Sequence, residues 1–114
     1  MQMAGFEQWR NESMKTKGKF DALVGQETPV LVDFYADWCG PCQAMSPILK
    51  EVAQGLDGKV KVVKIDVDRN QPIAQRFGVR SIPTLILFKG GEVVWKQAGL
   101  MTKRDLTMRL SQAV

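Results

Sequence analysis

Residues 30–42 read Val30-Leu31-Val32-Asp33-Phe34-Tyr35-Ala36-Asp37-Trp38-Cys39-Gly40-Pro41-Cys42. The first seven are nearly continuous in apolar side chains, which predicts a strand covered on both faces. Asp33 is the one exception. Beyond Cys42, the residues Met45, Ile48, Leu49, Val52 and Leu56 repeat at helical spacing and predict a helix over residues 40–56. Pro47 lies inside that helix and is expected to kink it, because it removes a bond to Gln43 and clashes with that carbonyl. Gly55, Asp57 and Gly58 supply the stop. A buried strand therefore runs into a helix, with two cysteines at the junction.

The same pattern continues outward. Residues 60–67 read as a second core strand, and residues 71–77 as a short helix ending at Gly78. Residues 84–88, 89–92 and 93–97 give strand, turn, strand, which is a hairpin signal. Thr102 and Asp105 form a capping box that opens a last helix, with Leu106, Leu110 and Ala113 inward. Upstream, residues 20–24 predict a short helix ended by Gly25. Early alternation of helix and strand implies parallel pairing, and the late hairpin adds an antiparallel pair. Residues 1–19 stand apart. They are polar, carry two basic patches and lack strand periodicity; Phe6, Trp9 and Met14 are spaced for a short amphipathic helix. The expected division is an N-terminal extension over 1–19 and a domain over 20–114, with residues 1–13 dispensable for catalysis.

Composition narrows the function. At 114 residues, 45% of them hydrophobic and 25% charged, the chain has the profile of one globular domain. No apolar run approaches the ~20 residues that cross a bilayer, and the polar start lacks the apolar core of a signal peptide. Neither a membrane nor nucleic acid is expected as a partner. The formal net charge is +4, but lysines and arginines are spread along the chain with acidic residues among them. The compact basic cluster Lys15-Thr16-Lys17-Gly18-Lys19 is too short to be a basic stripe. There is no histidine, which removes Ser-His, Cys-His and most zinc chemistry.

The two cysteines are Cys39 and Cys42. A bridge this short removes little entropy from the unfolded chain, so a purely structural disulfide explains the pair poorly. Zinc ligands, a redox couple and chance are the remaining readings. A structural zinc site needs four ligands, so zinc here would require a second chain. The redox reading has support from position. Cys39 falls at a helix N-terminus, where free N–H groups and the dipole favour an anion and lower a thiol's pKa. Cys42, one turn inside, is more covered and able to attack a mixed disulfide on Cys39. Gly40 lets the backbone turn, and Pro41 restrains the loop.

Trp38-Cys39-Gly40-Pro41-Cys42 resembles the active-site motif of the thioredoxin family. So do Val32-Asp33-Phe34 with Ala36 before it, Pro47 after it, Ser81-Ile82-Pro83-Thr84, Phe88-Lys89-Gly90-Gly91 and Ala98-Gly99. The resemblance covers residues 20–114. It implies an α/β, thioredoxin-like fold: a central mixed sheet flanked by helices, with the first strand missing or atypical. It implies reduction of protein disulfides through Cys39 and Cys42, with no cofactor beyond that redox-active pair. It also implies a thioredoxin reductase as electron source, a monomer, and a cytoplasmic setting.

Residue roles follow from the same resemblance. The resemblance has Asp33 accept the proton of Cys42; from strand position, Lys64 on the neighbouring strand either pairs with Asp33 or points outward. Trp38 covers the thiols. The Ile82-Pro83 bond is cis and holds the Ile82 backbone beside the disulfide. Gly40, Pro41, Val67, Ala98 and Gly99 complete a shallow groove where a substrate chain adds by strand-like hydrogen bonds. Tyr35, Gln43 and Ser81 depart from the family's frequent residues and bear on partner preference. Two other readings compete: an oxidase or isomerase on the same fold, and a non-catalytic module that holds a partner in the groove. Gly40-Pro41 argues against the first, and the intact set Cys39, Cys42, Asp33 and Pro83 against the second.

Overall fold

The computed structural model describes residues 6–9 and 17–114. Nine elements follow in order: β1 (Phe6–Trp9), α1 (Lys17–Val24), β2 (Val30–Tyr35), α2 (Gly40–Gly55), β3 (Lys61–Asp66), α3 (Gln71–Arg76), β4 (Thr84–Lys89), β5 (Glu92–Ala98) and α4 (Lys103–Ser111). The strands form one sheet in the order β1-β3-β2-β4-β5. β1, β3 and β2 are parallel; β4 runs antiparallel to β2, and β5 antiparallel to β4. This is the expected mixed sheet between helices. No helix among the described residues is long and apolar enough to cross a membrane.

Each strand of the centre feeds two cores. Val30, Val32 and Phe34 of β2 point to one face, where they meet Phe20 and Val24 of α1 and Ile73 of α3. Phe20, Phe77 and Phe88 close that face with ring centroids 5.2–5.7 Å apart. Leu31 points to the other face and packs with Met45, Leu49 and Val52 of α2 and Leu106 and Leu110 of α4. Full burial of such side chains contributes about 1.5–3 kcal/mol apiece. By the alternation of a strand, Asp33 and Tyr35 share the α2 face with Leu31. The element that carries the cysteines is thus fixed over the strand that carries the aspartate.

Helix ends follow local chemistry. α2 continues through Pro47 to Gly55. Gly25 stops α1 where a Cβ would lie 2.8 Å from the Asp21 carbonyl oxygen, a clash only glycine avoids. Thr102 caps α4, its hydroxyl accepting the Asp105 N–H at 3.0 Å.

Two expectations for the N-terminus change. Phe6 and Trp9 belong to a strand, not to an amphipathic helix; the expected contribution of Met14 lies outside the described residues. The reason is the open edge of β3, whose backbone groups need partners; β1 supplies them over four register pairs, Phe6–Val62 to Trp9–Ile65. α1 also begins at Lys17, ahead of the boundary expected at residue 20. Deleting residues 1–13 should therefore lower stability. At roughly 0.5–1.5 kcal/mol net per ladder hydrogen bond, the loss is on the order of a few kcal/mol. Urea denaturation of the shortened chain measures it, and an unchanged midpoint would show that β1 contributes nothing. Disulfide exchange by the folded fraction should stay at nearly the full rate.

Candidate active site

The site lies where β2 ends and α2 begins. The chain leaves Tyr35, turns through residues 36–38 with the Cys39 N–H on the Ala36 carbonyl at 3.2 Å, and enters the helix at Gly40. Cys39 is the N-cap of α2. Its sulfur accepts the Cys42 N–H at 3.1 Å, the place a capping oxygen would take. Pro41 stands in the first turn, where its missing N–H costs nothing. Cys39 and Cys42 are joined as a disulfide. A sulfur in this position faces free helix N–H groups, so a thiolate released on reduction at Cys39 is stabilised there. Exposure does not separate the two cysteines as expected: Cys39 is 4% exposed and Cys42 2%. Position along the helix does.

Asp33 lies in the middle of β2 on the face that α2 covers, fully buried, and neither carboxyl oxygen has a protein hydrogen-bond partner. Burial pushes its pKa from 3.8 up to about 7, while the positive charge of Lys64 pulls the other way. Lys64 is its register partner on β3 and is itself buried. The expected pairing does not close to a hydrogen bond: the Lys64 ammonium lies 3.3 Å from the Ser46 hydroxyl and 4.4 Å from the centre of the Tyr35 ring. A cleft of about 250 Å³, lined by Tyr35, Cys42, Gln43, Ser46 and Lys64 among others, opens beside Cys42. A larger surface cleft of about 370 Å³, with Leu100, Met108 and Arg109 in its lining, holds none of these residues.

The remaining expected residues fall in three places. Val67 and Ile82 pack with Tyr35, Ala36, Cys39 and Cys42 in one small apolar cluster. The Ile82-Pro83 bond is cis, and the Ile82 carbonyl oxygen lies 3.8 Å from the Cys39 sulfur. Gly99 donates its N–H to the Pro83 carbonyl at 2.8 Å, and Ala98 pairs with Thr84, so both border the same loop. Trp38 is 71% exposed and stands outside the cluster; its ring N–H bonds the Asp68 carboxylate at 2.9 Å.

Sequence reasoning missed Ser46, Asp66 and Asp68. Asp66 accepts the N–H groups of Asp68 at 2.8 Å and Arg69 at 3.3 Å, and so shapes the turn that delivers Asp68 to Trp38. Both aspartates stand at the carboxyl end of a parallel strand, the end where open α/β sheets gather their sites, and that signal was readable. Ser46 carries no such signal.

A thioredoxin family model matches residues 12–112. A thioredoxin of Haemophilus influenzae is 48% identical over 92 residues, covering 81% of this chain and 86% of that protein. Thioredoxin 1 of a Nostoc species is 46% identical over 90 residues, covering 79% and 84%. Among solved structures, a mutant thioredoxin from Halobacterium salinarum superposes with a TM-score of 0.81 at 36% identity, over 98% of this chain and 95% of that one.

Proposed function

The chain belongs to the thioredoxin family and carries out dithiol–disulfide exchange through Cys39 and Cys42, and from that premise we propose a residue-by-residue path for the reduction of protein disulfides. The Cys39 thiolate attacks one sulfur of the substrate. That S–S bond breaks, a Cys39–substrate bond forms, and the departing thiolate takes up a proton. Asp33, ionised, takes the proton of Cys42. The Cys42 thiolate then attacks the Cys39 sulfur, the Cys39–substrate bond breaks, and the second substrate sulfur leaves as a thiolate that takes up the proton held by Asp33. The first proton comes from solvent, to which Cys39 had given its own. Two electrons and two protons have moved to the substrate, and the pair is left as the disulfide. Lys64 tunes the proton affinity of Asp33.

The groove is formed by Trp38, Gly40, Pro41, Val67, Ile82, Pro83, Ala98 and Gly99. The Ile82 backbone beside the Cys39 sulfur gives an extended substrate segment a strand-like partner. A flavoprotein thioredoxin reductase returns the electrons, and the protein works as a monomer in the cytoplasm. Residues 20–114 hold every residue of this path; residues 1–19 carry no step.

The observation that supports the reading best is the Cys39–Cys42 disulfide at the N-terminus of α2, with the Cys39 sulfur as the cap of that helix. Insulin reduction with a dithiol donor tests it. The chain should bring on precipitation of the freed insulin chain well before donor alone, and Cys39→Ser should remove the effect entirely. Equal onset with and without the protein would leave a binding module as the better account.

A further inference from the structure

The loop that carries Ile82 is held at both ends from the β5 side. At its far end, the N–H of Gly99, just past β5, donates to the Pro83 carbonyl at 2.8 Å. At its near end, Lys96 of β5 reaches to the close of α3, where its ammonium donates to the carbonyls of Phe77 at 2.8 Å and Gly78 at 3.1 Å. A donor is needed there. Gly78 turns the backbone off the helix with a φ of 64°, and the N–H groups of Gly78 and Val79 fold back onto the Gln75 and Ala74 carbonyls. The last carbonyls of α3 have no such partner within the helix, and a cation suits the negative end of its dipole. Between the two ends, the Thr84 hydroxyl donates to the Ser81 carbonyl at 2.6 Å, while Arg80 and Ser81 are exposed.

We propose that Lys96 is a positioning residue for substrate docking: its two bonds to the end of α3 fix where the loop of residues 79–83 begins, and so where the Ile82 backbone stands beside the Cys39 sulfur. The inference rests on the reading that an extended substrate segment pairs with that backbone. Strand-like pairing gains most when the protein's side of it is already in place, because a loop ordered only on binding takes its entropy out of the affinity. Lys96 has no route to the thiols themselves. It pairs with Ile86, whose side chain lies in the core beneath α1 and α3. Asp33 pairs with Leu85, whose side chain lies in the core beneath α2 and α4. Lys96 and the Asp33 carboxyl are therefore on opposite faces of the sheet. The bonds of Lys96 are also exposed, so water can satisfy the same carbonyls and global stability depends on them little. Water does not tie α3 to β5, and that tie is what the loop loses without the ammonium.

Two kinds of disulfide separate docking from chemistry. A peptide disulfide brings a backbone to pair with Ile82, and cystamine brings none. In Lys96→Met, kcat/KM for the peptide disulfide should fall about fivefold, chiefly through KM, as expected when a docking loop must be ordered on binding. The rate with cystamine and the urea midpoint should hold. Lys96→Arg keeps a cationic donor and should restore most of the peptide rate. NMR order parameters of the amides of residues 79–82 should drop in Lys96→Met, with those of α2 unchanged. An unchanged KM for the peptide overturns the inference, as does an equal loss with cystamine or a loop that stays as ordered as before. The underlying reading fails separately. A peptide disulfide N-methylated beside its cysteine lacks the backbone donor and should react more slowly than its parent with the unaltered protein. If it reacts as fast, docking on the Ile82 backbone falls and takes the role of Lys96 with it. If it reacts more slowly while Lys96→Met keeps its KM, docking stands and the role of Lys96 alone falls.

Discussion

Cys42→Ser is expected to stop catalysis after a single chemical event and leave the protein covalently attached to its substrate. Cys39 caps α2 and takes the Cys42 N–H on its sulfur, so the first attack keeps its stabilised thiolate. Nothing remains to displace the substrate, because a hydroxyl does not resolve a mixed disulfide. Turnover in the insulin assay should drop to the uncatalysed background. Mass spectrometry should find a one-to-one adduct through Cys39 that persists until dithiol is added. Cys39→Ser should lose turnover as completely and form no such adduct. An adduct on Cys42 in Cys39→Ser, with none in Cys42→Ser, would reverse the two roles.

Asp33→Asn should separate rate from stability. With a folded-state pKa near 7 against 3.8, the native protein holds this proton more tightly than the unfolded chain does. The contribution of Asp33 to stability is therefore greatest below pH 4 and declines as pH rises from about 4 to 7, by on the order of 4 kcal/mol for a shift of this size. Asparagine has no charge to bury, so the variant should lose that decline and be the more stable protein at pH 8, with little difference at pH 4. Denaturant titrations at the two values measure this. Resolution should slow by on the order of a hundredfold near neutral pH, the usual worth of a positioned base. The first attack by Cys39 should change far less. A variant that is less stable at pH 8 and resolves at the normal rate would make Asp33 a structural carboxyl.

The centre of the fold was legible because its signals are long and mutually consistent. Residues 30–35 are apolar without a break except at Asp33, and α2 repeats its apolar residues over four turns, so burial on both faces of β2 follows from pattern alone. Asp33 announced itself as a polar residue where none belongs. β1 was not legible. Four residues show no alternation worth the name, and the three-residue spacing of Phe6 and Trp9 imitates a helix; what makes them a strand is the unpaired edge of β3, which lies far away in sequence. Lys64 was readable as either inward or outward, since a strand offers both faces. Ser46 was invisible for a related reason. Its contact with the Lys64 ammonium arises from where α2 meets β3, and a hydroxyl on a helix ordinarily signifies nothing.

The order of the sheet also decides where the molecule can come apart without harm. Opening fluctuations begin at strands with a free side, and here those are β1 and β5. β2 is in the middle, hydrogen-bonded to β3 and β4, and the reactive pair is mounted on its continuation. Amide protons of β2 are thus the last to exchange with solvent, while those on the outer side of β5 trade within the native ensemble. Fraying at either margin leaves the distance from Asp33 to the cysteines intact. The protein can loosen at its rim, even as an unfolding substrate tugs on it, and keep its chemistry in register.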